Sequence, residues 1–515
     1  MTGTPRRPDV PHPEPQHEEP SLEPRTGRAH AVFPTSTDQD VDLATARAES
    51  CARRVAASSP AARRTWLSAV AASLEEAADH LVAVADRETG LGAVRLSGEL
   101  ARTASQLRFY GTVAADGAYL GATIDRATES SPWLGRVHVP VGPVAVFGAS
   151  NFPFAFGVLG NDTASAIAAG CPVVAKGHPA HPETSRLLAA VAIEALARAG
   201  APDGTFGLVT GFAAGTRLVD DPAISAVAFT GSQSGGMALR DRALARPVPI
   251  AVYAEMGTVN PVVVTAAGAD DLASLAAGFV GSFTLGSGQF CTKPGLLLAP
   301  AGRGIADAVA QALRDSGPSG WALTGPIAEH ARAGVAAFVA AGAEVLQIAT
   351  GPAEGFGVDA VLLRAEANAI VADSPLVAEC FGPVAIIVEY RDDKELAGVL
   401  GRLQGALVGT IIAGGDDPDL SAVIDLLSPV VGRITVGDWP TGVAWTWAQH
   451  HGGPWPATSD ARATSVGAAA LDRFTRPLAL QSVPEPALPP SLQDSNPWHL
   501  PRRIDGVLHL GGGDQ

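Results

Sequence analysis

An uninterrupted apolar run, Pro-Val-Ala-Val-Phe at residues 143–147, ends in the turn Gly-Ala-Ser-Asn at residues 148–151. A run of this length without polar alternation is typical of a strand buried on both faces of a parallel sheet. A second run, Pro-Val-Val-Ala-Lys at residues 172–176, has helical patterns before and after it, near 163–169 and 182–198. Short buried strands that alternate with helices predict an α/β fold with a parallel sheet and right-handed crossovers.

The alternation continues through most of the chain. Further strands are predicted at residues 205–209, 224–229, 261–264, 296–298, 344–348, 384–388, 408–412 and 433–436, and further helices near 269–283, 303–315, 327–341, 393–403 and 417–427. Because the second half repeats the alternation of the first, we expect two α/β domains with a cleft between them.

The composition limits the class of protein. The chain has 515 residues, enough for about two to four domains, and its hydrophobic fraction of 47% is that of a globular protein. Its formal net charge of -16 argues against nucleic acid or an anionic membrane as the main partner, and no run of about 18 apolar residues predicts a membrane span. The cysteines show no CxxC pattern, so neither a zinc site nor a disulfide framework is indicated, and a cytoplasmic location is expected. They are Cys51, Cys171, Cys291 and Cys380.

Other segments follow different patterns. Residues 1–31 are rich in Pro, Glu, Arg and His and predict a disordered tail. Residues 41–117 are rich in alanine and predict three helices, with no catalytic candidate among them. Residues 136–140 alternate like a strand, and the Pro-rich segment from about residue 474 predicts an extended chain that packs across a surface or a neighbouring subunit.

Polar side chains follow the strands of the first domain where those strands end. They are Asn151, Lys176, the run Thr-Gly-Ser at 230–232, and Glu255. Because ligands of parallel sheets bind beyond the carboxyl ends of the strands, these groups predict one site. Gly236 completes a GxxxxG spacing, which is a weak pattern but permits a phosphate to approach the N-terminus of the following helix.

A cysteine in a glycine-rich stretch is the candidate nucleophile. Cys291 lies within Gly-Ser-Gly-Gln-Phe-Cys-Thr-Lys-Pro-Gly at residues 286–295, where glycines let the backbone bend and approach a ligand. A thiolate in such a turn is accessible, and backbone N–H groups there can stabilise an oxyanion. The alternative is a small buried side chain in a loop, and this stretch alone leaves both interpretations open.

Six motifs in order resemble the aldehyde dehydrogenase superfamily from about residue 35 to residue 480. They are Gly-Ala-Ser-Asn-Phe-Pro at 148–153, Lys176, Phe-Thr-Gly-Ser at 229–232, Glu-Met-Gly at 255–257 with Asn-Pro at 260–261, Gly-Gln-Phe-Cys at 288–291, and Glu-Cys-Phe-Gly-Pro at 379–383. The residues at 147–153, 169–172, 176–182 and 451–460 are similar to those of an NADP-type branch of this superfamily. That branch contains 2-oxoglutarate semialdehyde (2,5-dioxopentanoate) dehydrogenases. The resemblance implies an aldehyde-dehydrogenase-like α/β fold with two parallel-sheet Rossmann-like domains and a small β oligomerisation element.

The resemblance also implies the limits of the domains. After the tail at 1–31, residues 32–256 would form the cofactor-binding domain, with 118–141 contributing to the oligomerisation element. Residues 257–450 would form the catalytic domain. Residues 451–515 would return to the cofactor domain and continue as an extended C-terminal oligomerisation segment. A homodimer or homotetramer is expected.

The catalytic roles that the resemblance implies fall on three residues. Cys291 would attack the aldehyde carbon to give a thiohemiacetal, and Asn151 would donate to the oxyanion together with the Cys291 backbone N–H. Oxidation by NADP, or by NAD, would leave a thioester, and Glu255 would activate the water that hydrolyses it. No metal site is implied, and His178 and His181 are interpreted as part of a rigid loop.

The cofactor contacts are implied in the same way. They are Lys176, Ser150, Phe152, Gly231, Ser232, Gly236, Glu379 and Phe381, with Lys176 on the adenosine ribose and Glu379 on the nicotinamide ribose. Many NAD-preferring relatives have a carboxylate three residues after the lysine. Pro179 stands at that position here, which favours NADP without excluding NAD. Arg217 is a candidate partner for the 2′-phosphate.

Each of these residues also has a purely structural interpretation. Asn151 could be a turn residue, Lys176 a solvated strand end, Glu255 or Glu379 a surface charge, and Phe381 a core side chain. A structural or binding homologue without turnover therefore remains an alternative, although the intact set of Cys291, Glu255 and Asn151 argues against it.

The sequence leaves the substrate open. 2-Oxoglutarate semialdehyde leads by resemblance, and its distal carboxylate needs a cation, for which Lys293, Arg433 and Arg462 are candidates. Trp439, Trp445 and Trp447 would suit an apolar or aromatic aldehyde or would pack in a core or interface. A broad-specificity, fatty- or aromatic-aldehyde dehydrogenase and a CoA-acylating enzyme are the alternatives. The candidate substrate contacts are Phe156, Phe290, Arg433 and Trp445.

Overall fold

The structure is a computed structural model that describes residues 18–317 and 319–511. Its α-helices are α1 (Asp38–Ala57), α2 (Pro60–Glu76), α3 (Ala78–Thr89), α4 (Ala93–Asp116), α5 (Asn161–Ala169), α6 (Pro182–Arg198), α7 (Phe212–Asp220), α8 (Gln233–Leu244), α9 (Leu272–Thr284), α10 (Ile305–Asp315), α11 (Gly325–Ala340), α12 (Asp393–Leu400) and α13 (Leu420–Leu427). Its strands are β1 (Glu18–Glu23), β2 (Arg28–Pro34), β3 (Thr123–Asp125), β4 (Leu134–Pro140), β5 (Val144–Phe147), β6 (Val173–Lys176), β7 (Phe206–Val209), β8 (Ala226–Gly231), β9 (Ala251–Met256), β10 (Asn260–Val264), β11 (Pro294–Pro300), β12 (Glu344–Ala349), β13 (Ala360–Ala365), β14 (Val384–Tyr390), β15 (Gly409–Ile412), β16 (Ile434–Val436), β17 (Thr475–Gln481), β18 (Arg502–Ile504) and β19 (Val507–His509).

The first domain is built on a parallel sheet with the strand order β7-β6-β5-β8-β9. Every residue of β5 is buried, because α5 and α6 pack on one face of the sheet and α7 and α8 on the other. Apolar side chains on both faces of a strand are the physical reason for the uninterrupted run in the sequence. The carboxyl ends of these strands form one edge, as predicted, and that edge faces the second domain.

The second domain is built on a sheet with the order β12-β13-β14-β11-β10-β15-β16, in which only the edge strand β12 is antiparallel among the described strands. Helices α9 and α10 cover one face, and α11, α12 and α13 lie on the other. The chain changes sheets between the end of β9 at Met256 and the start of β10 at Asn260. The predicted boundary between residues 256 and 257 lies within this connection.

A smaller sheet with the order β17-β4-β3-β18-β19 stands apart from the two domains. The C-terminal strand β17 pairs with β4, β18 pairs with β3, and β19 pairs with β18 at the edge of the sheet. The loops between these strands bury Leu488, Leu492 and Leu500 against the same sheet. The Pro-rich segment is therefore extended and packs across a surface of its own chain. The two-domain α/β fold with a small β element is confirmed.

Two predictions about the N-terminal part are wrong. Residues 18–31 are not a disordered tail but belong to the β1–β2 hairpin, whereas residues 1–17 lie outside the described residues. A polar hairpin has little stability of its own, and this one is held by packing on α3 and α6, which composition does not reveal. Residues 38–116, all of which the structure describes, form four helices rather than three, because α2 and α3 are separated only by Ala77, with neither Gly nor Pro to mark the break.

Across residues 18–317 and 319–511, none of the helices combines the length and the apolar character that crossing a membrane requires.

Candidate active site

The candidate nucleophile lies on a loop between α9 and β11 that passes close to another backbone segment. Gly288 has a φ of 67°, and a Cβ at this position would lie 2.1 Å from the carbonyl oxygen of Gly382. Only glycine fits such an approach. The side-chain amide of Asn260 donates to the carbonyl oxygen of Cys291 at 2.8 Å. These contacts fix the backbone of the loop and hence the position of the thiol.

Glu255 and His451 lie beside the thiol. Nε2 of His451 is 3.6 Å from Sγ of Cys291, within hydrogen-bond reach for sulfur, and 3.0 Å from Oε1 of Glu255. The reactive atoms of the three residues lie within 4.8 Å of one another. Ser465 donates to Oε2 of Glu255, and the side chains of Glu255 and His451 are 3% and 0% exposed. The site is therefore a buried polar cluster at the end of β9.

The hydrogen bonds of the cluster leave two atoms unpaired. Oε1 of Glu255 is close to His451 but is not aligned for a hydrogen bond, and Nδ1 of His451 has no partner. Of the two neutral tautomers of His451, the one with the proton on Nε2 leaves no buried donor unpaired, so the hydrogen bonding assigns that tautomer. Nε2–H then faces the sulfur of Cys291, and Oε1 of Glu255 is a buried acceptor with free capacity.

The charges in the cluster oppose ionisation of the thiol. Burial, and then the negative charge of Glu255, raise the pKa of Cys291 well above its usual value. Burial by itself would raise the pKa of Glu255 too, but the contacts with His451, Ser465 and Cys291 outweigh it and lower the pKa of that carboxyl. At neutral pH the cluster thus holds a thiol and a carboxylate, and the thiol proton must leave as the sulfur attacks.

Asn151 lies in the turn after β5 and points towards the cysteine loop. Its side-chain amide donates to the carbonyl oxygen of Gln289 at 2.7 Å, and its own backbone carbonyl accepts from Arg95 at 2.7 Å. The side chain is buried and fixed, and its NH₂ group has a second proton that this bond does not use. This placement supports the predicted oxyanion contact over the interpretation as a turn residue alone.

The residues predicted to hold a dinucleotide lie at the carboxyl edge of the first sheet. Lys176 ends β6, where burial lowers the pKa of its amine. Ser232 caps α8 by accepting from the N–H of Gly235 at 3.2 Å. A Cβ at Gly236 would lie 2.7 Å from Sδ of Met256, so glycine lets the start of α8 pack against β9. Lys176 and the N-terminus of α8 lie at the same edge of the sheet, after the strands β6 and β8 that flank β5. These residues fit the ribose and the pyrophosphate of a dinucleotide.

Glu379 reaches the first domain from the second. An oxygen of its carboxylate lies 2.1 Å from the position that a Cβ at Gly257 would occupy, and the N–H of Gly257 donates to the carbonyl oxygen of Gly231 at 3.1 Å. Burial raises the pKa of Glu379 to about 7, although Lys293 opposes the shift. A carboxyl group in this position fits a ribose hydroxyl. Phe381 is half-buried on the same loop.

An aromatic cluster lies beside the cysteine. The ring centroid of Phe152 is 5.6 Å from that of Phe156 and 5.1 Å from that of Phe290, and Phe156 lies 6.5 Å from the ring of His451. Phe152 was predicted as a cofactor contact, but its ring faces the residues predicted for the substrate. Ser150, half-buried, lies two residues before it.

Two of the three predicted substrate cations are wrong. Nζ of Lys293 donates to the carbonyl oxygens of Cys380 at 2.9 Å and Val384 at 2.6 Å, so this buried amine ties two backbone segments together. The side chain of Arg462 is 94% exposed and lies near Asp460. Neither is available to a carboxylate in the cleft.

Three other candidates have clear positions. Arg217 pairs with Asp42 of α1, so its charge is already matched, contrary to the role suggested for the 2′-phosphate. The ring of Trp439 packs 6.0 Å from that of Phe279, which supports core packing for this tryptophan. The side chain of Trp447 is 54% exposed.

The prediction missed Arg95, Arg102, His451 and Ser465. The guanidinium of Arg95 lies 5.0 Å from the ring centroid of Phe290, and that of Arg102 lies 4.9 Å from the ring of Trp445. A signal for the arginines exists, because Arg95, Glu99 and Arg102 recur at helical spacing along α4. Residues 41–117 were therefore wrongly set aside. His451 and Ser465 lie on irregular segments, where periodicity gives no signal.

The structure combines two α/β domains with a candidate cysteine nucleophile and a candidate dinucleotide site. The family model described as "Aldehyde dehydrogenase family" matches residues 12–454. The chain belongs to the aldehyde dehydrogenase family, and its cofactor is accordingly a nicotinamide dinucleotide.

Similar proteins agree with this assignment. The chain is 44% identical over 489 residues to "Alpha-ketoglutaric semialdehyde dehydrogenase 2" of Azospirillum brasilense, with 92% of this chain and 93% of the relative covered. It is 38% identical to "Alpha-ketoglutaric semialdehyde dehydrogenase" of Acinetobacter baylyi, with 93% of each covered. The solved structure of an NAD-dependent aldehyde dehydrogenase from Sinorhizobium meliloti has a TM-score of 0.78 at 22% identity and covers 90% of this chain and 91% of its own. That of methylmalonate-semialdehyde dehydrogenase from Oceanimonas doudoroffii has a TM-score of 0.77 at 20% identity, with 92% and 96% covered. The two structures show the likeness of the fold.

Proposed function

We propose that this enzyme oxidises 2-oxoglutarate semialdehyde to 2-oxoglutarate. The observation that carries the proposal is the buried cluster of Cys291, Glu255 and His451 beside residues that fit a nicotinamide dinucleotide. The choice of substrate is supported by the two relatives that are 44% and 38% identical over most of the chain and are named for this semialdehyde. The nicotinamide, when bound, supplies the acceptor for the two electrons of the oxidation.

The first step forms a bond between Sγ of Cys291 and the aldehyde carbon. Oε1 of Glu255, an unpaired acceptor in the same cluster, takes the thiol proton, while Nε2–H of His451 stabilises the charge that develops on sulfur. The free N–H of the Asn151 side chain and the backbone N–H of Cys291 donate to the oxygen of the thiohemiacetal. Each group acts from a position that the fold has already fixed.

The second step hydrolyses the thioester on Cys291. The proton that Glu255 took from the thiol first passes to solvent, because the lowered pKa of this carboxyl favours the carboxylate at neutral pH. Oε1 can then accept a proton from water. The hydroxide equivalent adds to the thioester carbon, and the sulfur leaves with the proton. A buried carboxylate beside the thiol favours hydrolysis over transfer to CoA.

The choice of nicotinamide cofactor depends on two features. Pro179 places no carboxylate on the loop after Lys176, which favours NADP. However, the hairpin contributes Glu19, which is buried and whose carboxylate interacts electrostatically with Lys176. We propose that the enzyme can use NADP and NAD, with Glu19 opposing the 2′-phosphate of NADP.

We propose the homo-oligomeric assembly and the cytoplasmic location that the sequence predicts. A homodimer or homotetramer is supported by the small sheet, whose end strands β17 and β19 each leave one edge unpaired within the described chain. A cytoplasmic location is supported by the free thiols of Cys51, Cys171, Cys291 and Cys380.

The test is the absorbance of reduced cofactor with purified protein and 2,5-dioxopentanoate, run with NADP and with NAD, beside a Cys291→Ala control. We expect reduced cofactor with the native protein and none with the control.

Signal with hexanal or benzaldehyde but not with 2,5-dioxopentanoate would overturn the substrate and leave the mechanism. Acyl-CoA formed after addition of CoA would overturn hydrolysis. Cofactor binding without turnover of any aldehyde would favour a non-catalytic homologue.

A further inference from the structure

We infer that Arg102 and Arg433 together bind the distal carboxylate of the substrate, an inference that rests on the proposed function. Both side chains line one cavity of about 570 Å³. Arg102 comes from α4 in the first domain, and Arg433 immediately precedes β16 in the second. Gln449, two residues before His451, lines the same cavity, which places it next to the reaction centre.

Arg102 is held in place without its N–H groups being used. Its guanidinium carbon lies 4.9 Å from the ring centroid of Trp445, 5.7 Å from that of Phe156 and 5.9 Å from that of Phe152. These rings orient the cation through its charge and its flat face. Nε and Nη2 are buried and have no hydrogen-bond partner. Buried donors of this kind need an acceptor, and a carboxylate supplies two in the matching geometry.

The nearest carboxylate on the same helix does not satisfy Arg102. Oε1 of Glu99 accepts from the backbone N–H groups of Phe154 at 2.8 Å and Ala155 at 3.0 Å, which fixes this side chain on the turn after Asn151. Among the described residues no ion pair joins Glu99 to Arg102. Burial lowers the pKa of Arg102, although Glu99 opposes the shift. Two buried N–H groups of this half-buried guanidinium therefore lack an acceptor among the described residues, and a ligand carboxylate can supply one.

Arg433 is oriented by its own loop. Nη1 donates to the carbonyl oxygen of Gly442 and Nη2 to that of Pro440, each at 2.8 Å, while Nε is buried without a partner. The carboxylate that lines the cavity, Asp438, is exposed to solvent and forms no ion pair with either arginine in the described part of the chain. The buried part of the cavity is therefore positively charged.

The cavity is close enough to Cys291 for one small molecule to span both. Burial lowers the pKa of Arg102 and of Arg433, and the negative charge of an ionised Cys291 would oppose both shifts. The guanidinium carbon of Arg102 lies 5.7 Å from the ring centroid of Phe156, which lies 6.5 Å from the ring of His451. An aldehyde carbon at Sγ then leaves the opposite end of the substrate facing the two guanidinium groups. In 2-oxoglutarate semialdehyde that end is a carboxylate. A neutral aldehyde would leave the buried N–H groups unpaired, so the pocket selects against fatty and aromatic aldehydes.

The test compares an anionic and a neutral aldehyde of equal length. We expect Arg102→Gln to lower kcat/KM for 2,5-dioxopentanoate about 10- to 100-fold, mostly through KM, and to change kcat/KM for pentanal less than about threefold. Arg108→Gln is the matched control, because Arg108 lies on the same helix but pairs with Glu75 on the surface. It should leave both substrates unchanged.

A second measurement detects the carboxylate site through inhibition, without the oxidation of an aldehyde that carries a carboxylate. The product 2-oxoglutarate should inhibit pentanal oxidation, and its Ki should rise about tenfold or more in Arg102→Gln but not in Arg108→Gln. An equal loss for both aldehydes, or an unchanged Ki, would overturn the inference and leave the proposed function intact.

Native enzyme that prefers succinate semialdehyde to 2,5-dioxopentanoate would overturn the proposed substrate, and a selective loss in Arg102→Gln would still support the arginines. A native preference for pentanal over every anionic aldehyde would overturn both.

Discussion

Glu255 has two opposing effects on Cys291. Its negative charge raises the pKa of the thiol, which keeps the sulfur protonated and protected from unselective reaction. In the proposed mechanism, its Oε1 also accepts the thiol proton when an aldehyde is in place. Burial makes both effects strong, because charges in this cluster are poorly screened. The same residue therefore controls the resting state and both proton transfers.

Replacing Glu255 by glutamine separates these effects. We expect Glu255→Gln to form about one equivalent of reduced cofactor in a burst that is slower than the native one, because the acceptor of the thiol proton is lost. The steady-state rate that follows should be about 10²- to 10⁴-fold below that of the native enzyme, because the thioester is no longer hydrolysed with base catalysis. Loss of the anion should also lower the pKa of Cys291. The pH midpoint for alkylation of the thiol by iodoacetamide should then shift to lower pH.

Stopped-flow absorbance and the pH dependence of inactivation measure the two results. Glu329→Gln, a change at an exposed glutamate of α11, is the control for both. Cys291→Ala should take up no iodoacetamide at the site. An alkylation midpoint that stays in place, or moves to higher pH, would refute the electrostatic account of the thiol.

At the scale of elements, the β1–β2 hairpin connects a surface feature to the cofactor site. Ser21 of β1 donates to the buried Glu88 of α3, and Arg186 of α6 lies over the ring of Phe33 of β2 at 5.3 Å. These contacts hold the hairpin on the helices that flank Lys176. Through this packing the hairpin brings the buried carboxylate of Glu19 towards the end of β6.

Glu19→Gln should change the choice of cofactor. Removing a buried negative charge near Lys176 should raise kcat/KM for NADP relative to NAD about tenfold, because the 2′-phosphate is no longer repelled. Burial raises the pKa of Glu19, although Lys176 and Arg186 oppose it. In the native enzyme the ratio should therefore rise as pH falls and Glu19 takes up a proton.

Cofactor kinetics at a fixed aldehyde concentration, measured over a range of pH, check this prediction. Glu18→Gln is the matched control, because Glu18 is the neighbouring residue of β1 and is exposed. If Glu19→Gln and Glu18→Gln give the same NADP to NAD ratio, the hairpin has no part in cofactor choice.

At the scale of the whole molecule, residues far apart in the chain close the structure. Nη1 of Arg473, after the second domain, lies 2.8 Å from the carboxylate of Asp162 on α5, and both side chains are buried. The carboxylate of Glu379 lies beside Gly257, in the connection between the two domains. The C-terminal segment thus ties the second domain back to the first, and the cleft between them contains the site.

The small β sheet predicts assembly of the molecule with copies of itself. Its edge strand β19 exposes Val507, 60% exposed, and Leu508, 56% exposed, next to Leu510 at 81%. Light scattering at micromolar concentration should give a mass of a dimer or tetramer of the 52.3 kDa chain. Leu508→Asp should shift the mass towards the monomer, whereas Val94→Asp, at an exposed valine of α4, should not. A monomer for the native protein would contradict the proposal.

The predictable part of the site consists of residues next to strand ends and of one turn. Asn151, Lys176 and Glu255 could be predicted as one group because each follows or ends a strand of the same parallel sheet. Lys293 and Arg462 could not be judged in this way, because the sequence does not show where a long side chain points. Packing sends the first to two backbone carbonyls and the second into solvent.

Apolar runs, helical periods and short motifs are local properties of the chain. The sequence therefore predicted the α/β architecture and, through the resemblance that those motifs carry, the candidate reacting groups. The tertiary structure alone decided which charges surround those groups. His451, Arg102 and Glu19 come from a loop, a helix and a hairpin that are distant along the chain, and each acquires its role from burial beside a particular partner. Burial and proximity in space depend on how the elements pack against one another. This packing involves segments that are distant along the chain, so no single segment reveals it.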